Sequence, residues 1–88
     1  MCTYATVHTQ IAGSAKGPGS AWFTVDEAVV YFDHPVHAMA EHTLNIDLAD
    51  PRSSTGERVA LELSARAARA LAAAITAALD AVPPALTA

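Results

Sequence analysis

Along the first half of the chain, apolar and polar residues alternate with a period of two, the spacing of a strand that keeps one face in a core. In residues 3–11, Tyr4, Thr6, His8 and Gln10 fall on one side and Ala5, Val7, Thr9 and Ile11 on the other, within a segment rich in β-branched and aromatic residues. A first strand with one apolar face is predicted there. The next segment, residues 13–20, holds three glycines and a proline and predicts a loop. Residues 22–32 form the longest strand-like stretch, and the adjacent acids Asp26 and Glu27 predict a turn or bulge within it. In residues 42–48, His42, Leu44, Ile46 and Leu48 alternate with Thr43, Asn45 and Asp47. This gives a third strand, with His42 on the apolar side and Asn45 and Asp47 together on the other, as a polar anchor or, in the simpler reading, the wet side of a sheet edge. After a polar turn over 50–56, Val59, Leu61 and Leu63 alternate with Arg58, Ala60 and Glu62 as a fourth strand, 58–63.

At Ser64 the pattern changes. Ser64 is a good N-cap, residues 65–82 are almost all strong helix formers, and Leu71, Ile75 and Leu79 recur every fourth position before Pro83 and Pro84 end the run. The predicted fold is α+β: a single antiparallel sheet of about four strands with one C-terminal helix packed on one face, in the order ββββα, as one domain over residues 1–88. The leucine and isoleucine stripe is expected to lie across the sheet, where truncating a fully buried Ile75 would cost about 2 to 5 kcal/mol. Ala70, Ala73, Ala74, Ala77 and Ala81 pave the other helix faces; they permit close approach of a second helix, and helix propensity explains them equally well. One helix covers one sheet face only. The face carrying Tyr4, Thr6, His8 and Gln10 is left to solvent, to a second subunit, or to a small polar ligand.

Size bounds the core. A chain of 88 residues buries only about 60 to 65% of the surface its unfolded form exposes, and one cysteine allows no internal disulfide. Help from a bound metal or a partner is therefore expected, with a homodimer the simpler solution. At 52% hydrophobic and 16% charged residues the chain is too apolar for disorder, yet no apolar run approaches the roughly 20 residues of a membrane helix. Five scattered Lys and Arg in a net charge of −4 make no basic stripe, so neither nucleic acid nor membrane is an expected partner. A basic start leading into an apolar segment is not seen, so a cytoplasmic location is expected.

Candidate chemistry concentrates in residues 33–42, which hold three of the four histidines between Asp33 and Glu41 or just beyond it. His34, His37 and His42, joined by His8 from the first strand, are the expected ligands of a divalent transition metal, zinc or iron first, because imidazole with carboxylate is the donor mixture such ions accept. Glu41 and Asp33 are the candidate catalytic carboxylates, as metal ligands, as partners orienting a ring, or as acid–base groups without any metal. Against these stands a structural role for the histidines, since Asp-His-Pro is an ordinary way to end a strand. Neither HExxH nor a CxxC pair is present. Cys2 is read as an N-terminal nucleophile if Met1 is removed, as a strand-edge metal ligand, or as a small buried hydrophobe. Lys16 sits in a glycine-rich segment without GxxxxGK[ST] order, so a phosphate cradle is not supported.

Met1-Cys2-Thr3-Tyr4-Ala5-Thr6, Gly13-Ser14-Ala15-Lys16-Gly17, Trp22-Phe23, Tyr31, Asp33-His34-Pro35-Val36-His37-Ala38 and Glu41-His42-Thr43-Leu44-Asn45-Ile46-Asp47 carry a resemblance that extends over nearly the whole chain. In these motifs the sequence resembles a family of roughly 90-residue actinobacterial proteins of unknown function; the resemblance implies a stand-alone small protein, with an association to natural-product pathways rather than a mechanism. It carries over no catalytic residues. Three classes of function stay open: a metal-binding protein or metalloenzyme of small-molecule metabolism, a metal-free His/carboxylate catalyst, and a dimeric ligand-binding or accessory protein.

Overall fold

The computed structural model describes residues 4–19, 21–53 and 56–88. Strands β1 (Ala5–Lys16), β2 (Trp22–Asp33), β3 (Thr43–Ala49) and β4 (Arg58–Leu63) form one antiparallel meander in the order β1-β2-β3-β4, followed by helix α1 (Ala65–Asp80) and a short 3-10 turn at Pro84–Leu86. The ββββα architecture expected from the alternation is the one observed.

The register sorts side chains onto two faces, because residues directly opposite in an antiparallel pair share a side. Val7 pairs with Val30, Val30 with Ile46 and Ile46 with Leu61, while Phe32 pairs with Leu44 and Leu44 with Leu63. This is the apolar face. On the other side Thr6, Tyr31, Asn45 and Glu62 make one cross-strand row, and His8, Val29, Asp47 and Ala60 the next.

Two local expectations are corrected. The glycine-rich segment does not begin a loop at residue 13, since β1 continues to Lys16 and the turn into β2 comes only after it. The irregularity placed at Asp26-Glu27 belongs to the neighbouring strand: pairing runs to Gln10 and Glu27 and resumes at Gly13 and Val25, so Ile11 and Ala12 together oppose Asp26. The bulge absorbs the mismatch in β1, and β2 runs unbroken. Asp26 has a different task, accepting from the Arg52 Nη2 at 2.8 Å, while Asp50 Oδ1 accepts the Arg52 N–H at 2.9 Å. These bonds tie the β3–β4 turn to β2. Gly56, at φ 69°, takes the left-handed conformation that leads the chain into β4.

Helix α1 starts as expected. Ser64 has extended backbone and its Oγ accepts from the Ala67 N–H at 3.0 Å, a standard N-cap. The helix ends at Asp80 with Ala81 as its C-cap, two residues short of the predicted boundary. Its stripe, however, is not sealed against the sheet. Leu71, Ile75 and Leu79 remain 39%, 54% and 55% exposed, and the helix borders an open apolar groove of about 610 Å³ lined by Val30, Phe32, Leu44 and Ile46 on the sheet. The condition of full burial attached to the Ile75 estimate is therefore not met within one chain. Only Val25 and Ala28 are buried apolar residues among those described.

Candidate functional site

The β2–β3 connection, residues 34–42, is held to the sheet by a residue distant in sequence. Glu62 projects from β4 on the polar face, and its carboxylate accepts the N–H of Val36 at 2.6 Å, of His37 at 3.1 Å and of Ala38 at 2.7 Å. Three consecutive backbone donors aimed at one carboxylate form an anion-binding concavity that the chain fills with its own side chain. These bonds favour the ionised form, and the Glu62 pKa lies below the ordinary glutamate value, set first by the Ala38 and Val36 N–H groups.

Beside the loop lies a polar cleft of about 530 Å³. Tyr31, Asn45, Asp47 and Arg58 line it from the sheet, and His34, Val36, His37 and Ala38 from the loop. The Tyr31 hydroxyl donates to Asp47 Oδ2 at 3.3 Å, and Thr43 Oγ1 donates to Asn45 Oδ1 at 2.7 Å. Burial, then the negative charge of Asp47, raises the Tyr31 pKa above its ordinary value, so the phenol stays a neutral donor. Asn45 is only 4% exposed and Thr43 only 2%. The expectation of a wet sheet edge at Asn45 is thereby corrected: β3 is an inner strand, paired on both sides. Asp47 joins Asn45 on the cleft wall.

The histidines separate into three places. His34 and His42 come together, their ring centroids 4.7 Å apart and their planes 23° from parallel, and His42 stacks in turn on Phe32 at 5.8 Å with Tyr4 edge-on at 5.4 Å. The expected position of His42 on the apolar side is borne out by that stack. His34 Nδ1 lies 2.5 Å from the Glu41 carbonyl oxygen, which can only accept, so Nδ1 is the donor of this bond. His37 is on the cleft side with its backbone on Glu62, and His8 lies on β1, its Nδ1 3.9 Å from Glu27 Oε2. The four imidazoles are not brought to one point. Among the described residues no three His, Cys, Asp or Glu side chains gather as a metal-holding group.

The two candidate carboxylates also have local tasks. Asp33 Oδ1 accepts the His34 N–H at 2.6 Å, and Glu41 contributes its backbone carbonyl to His34 while its side chain is exposed. Neither lines the polar cleft. Cys2 lies outside the described residues. Sequence reasoning missed Glu62, Tyr31 and Arg58 as site residues. Arg58 was legible only as a polar-face position, Tyr31 only as part of the long second strand, and nothing local ties Glu62 to a loop more than 20 residues away.

No curated protein and no solved structure matches the chain. A family model does, without an activity attached to it. The whole length, residues 1–88, matches the family of unknown function designated DUF6295, and the chain belongs to that family.

Proposed function

We propose that the protein binds a small polar molecule in the cleft between the polar sheet face and the loop over residues 34–42. One observation carries this: Tyr31, Asn45, Asp47 and Arg58 converge on a concavity whose wall is completed by backbone fixed to Glu62. Such a site offers a carboxylate to a donor, a guanidinium to an acceptor or anion, and a phenol and amide between them, a set suited to a hydroxylated or zwitterionic metabolite. On this reading His34 and His42 serve the fold of the loop, and the protein is a binding or accessory component of small-molecule metabolism.

The test is titration with a panel of small hydroxylated and zwitterionic metabolites, followed by amide chemical shifts. A saturable ligand is expected, and Asp47→Asn or Arg58→Ala should weaken it about tenfold or more, the scale of a lost hydrogen bond to a charged group. His8→Gln should leave it unchanged. Binding indifferent to both cleft substitutions would sink the proposal.

A second reading is a zinc or iron site on His34 and His42, with Glu41 or Cys2 supplying a further ligand. It is favoured by the Nδ1–H···O bond of His34, the kind of support that orients a ligating ring. It is opposed by the stacking. Imidazole lone pairs lie in the ring plane, so two nearly parallel rings reach one ion only along a shared edge. Elemental analysis of purified protein decides it: near-stoichiometric metal lost in both His34→Gln and His42→Gln supports the site, and metal at trace level rejects it.

A further inference from the structure

We infer that the open apolar groove between α1 and the sheet is filled by α1 of a second copy of this chain, in a two-fold dimer centred on Ile75. The surface area argues for a partner. The chain exposes 6660 Å², whereas a compact monomer of 9.1 kDa exposes about 4,900 Å². The surplus of roughly 1,800 Å², summed over the whole chain, is larger than the ~800 Å² that each partner buries in a standard interface, which leaves room for one. The radius of gyration agrees, at 14.6 Å against about 12 Å for a compact chain of this length.

The groove's chemistry argues for a second copy as that partner. Leu71, Ile75 and Leu79 are spaced symmetrically about Ile75, so two helices packed antiparallel set Leu71 against Leu79 and Ile75 against Ile75. Such a stripe is its own complement. Leu71, Ile75 and Leu79 carry no charge, Arg69 being the one charged residue on the groove wall, and the small side chains of Ala68 and Ala72 leave room beside the stripe for the incoming helix. Val30, Phe32, Leu44 and Ile46 then gain a cover that one helix alone does not provide. The interface uses the leucine and isoleucine stripe, not the alanine faces of α1.

Sedimentation equilibrium tests this with the intact chain. Wild type is expected at twice the 9.1 kDa chain mass, with a melting temperature that rises with protein concentration. Ile75→Lys places a charge on a side chain already half exposed in one chain and should halve the mass. Where that variant fails to fold, Ile75→Cys in a Cys2→Ser background gives the same answer, because a residue on the two-fold axis meets its own copy and should form an intermolecular disulfide on oxidation. A wild type monomeric at high micromolar concentration would overturn the inference, whether or not another protein covers the groove. So would a dimer in which Ile75→Lys changes nothing, or one in which the Ile75→Cys variant does not cross-link.

Discussion

Glu62 is the residue on which the cleft's loop wall depends. Replacing its carboxylate with an amide keeps the size and removes the charge that three N–H groups share. In Glu62→Gln, hydrogen exchange at Val36, His37 and Ala38 should accelerate at least tenfold relative to wild type, while the amides of β2 and β3 stay protected. The same contact sets a pH dependence. Because the folded pKa of Glu62 is depressed, the contribution is complete above the ordinary glutamate range and is lost as pH falls through the lowered value. Protection of the three amides should therefore persist through the range where an unperturbed glutamate protonates, about pH 4, and be lost only in stronger acid. Protection unchanged in that stronger acid would contradict the clamp. Little of this was legible beforehand. The alternation places Glu62 on the polar face, but its bond to Val36 spans 26 positions, and no period or motif connects them. The histidines draw notice by their number, and their ring contacts show why number misleads: stacking on Phe32 and a bond to a backbone carbonyl are uses of imidazole that sequence does not distinguish from ligation.

At the scale of elements, strands were legible wherever one face is apolar, since the period of two is itself a consequence of one-sided burial. The larger departures among the strands are in β1 and β2. Gly13 reads as a breaker although its ladder continues to Lys16, and the bulge shows in the sequence as a pair of acids on the strand opposite. Helix α1 was legible from its formers and its cap. Ser64→Ala should lower stability by about 0.5 to 2 kcal/mol in denaturant unfolding, since it removes the acceptor for the Ala67 N–H. A loss near zero would mean that the first turn is held by something other than its cap. What the helical period did not reveal is how far the stripe stands from the sheet. Spacing shows which residues share a face but not which partner covers them, and Leu71, Ile75 and Leu79 all stay partly open to solvent.

For the whole molecule, the two sheet faces have different tasks. The apolar face and α1 lack a complete core within one chain, and the proposed second copy would supply it. The polar face, with its inner-strand Asn45 and Asp47 and its loop fastened by Glu62, forms the cleft proposed as the binding site. This division separates assembly from binding, so Ile75→Lys should change the mass without altering the polar row, and Asp47→Asn should do the reverse. The measurement that tests the central claim most directly is amide chemical-shift mapping of the wild-type protein with the first metabolite that saturates it. Perturbations are expected to cluster at Tyr31, Asn45, Asp47, Arg58 and residues 36–38. Perturbations centred instead on His42 and Phe32, or no saturable ligand in a panel of hydroxylated and zwitterionic metabolites, would contradict it.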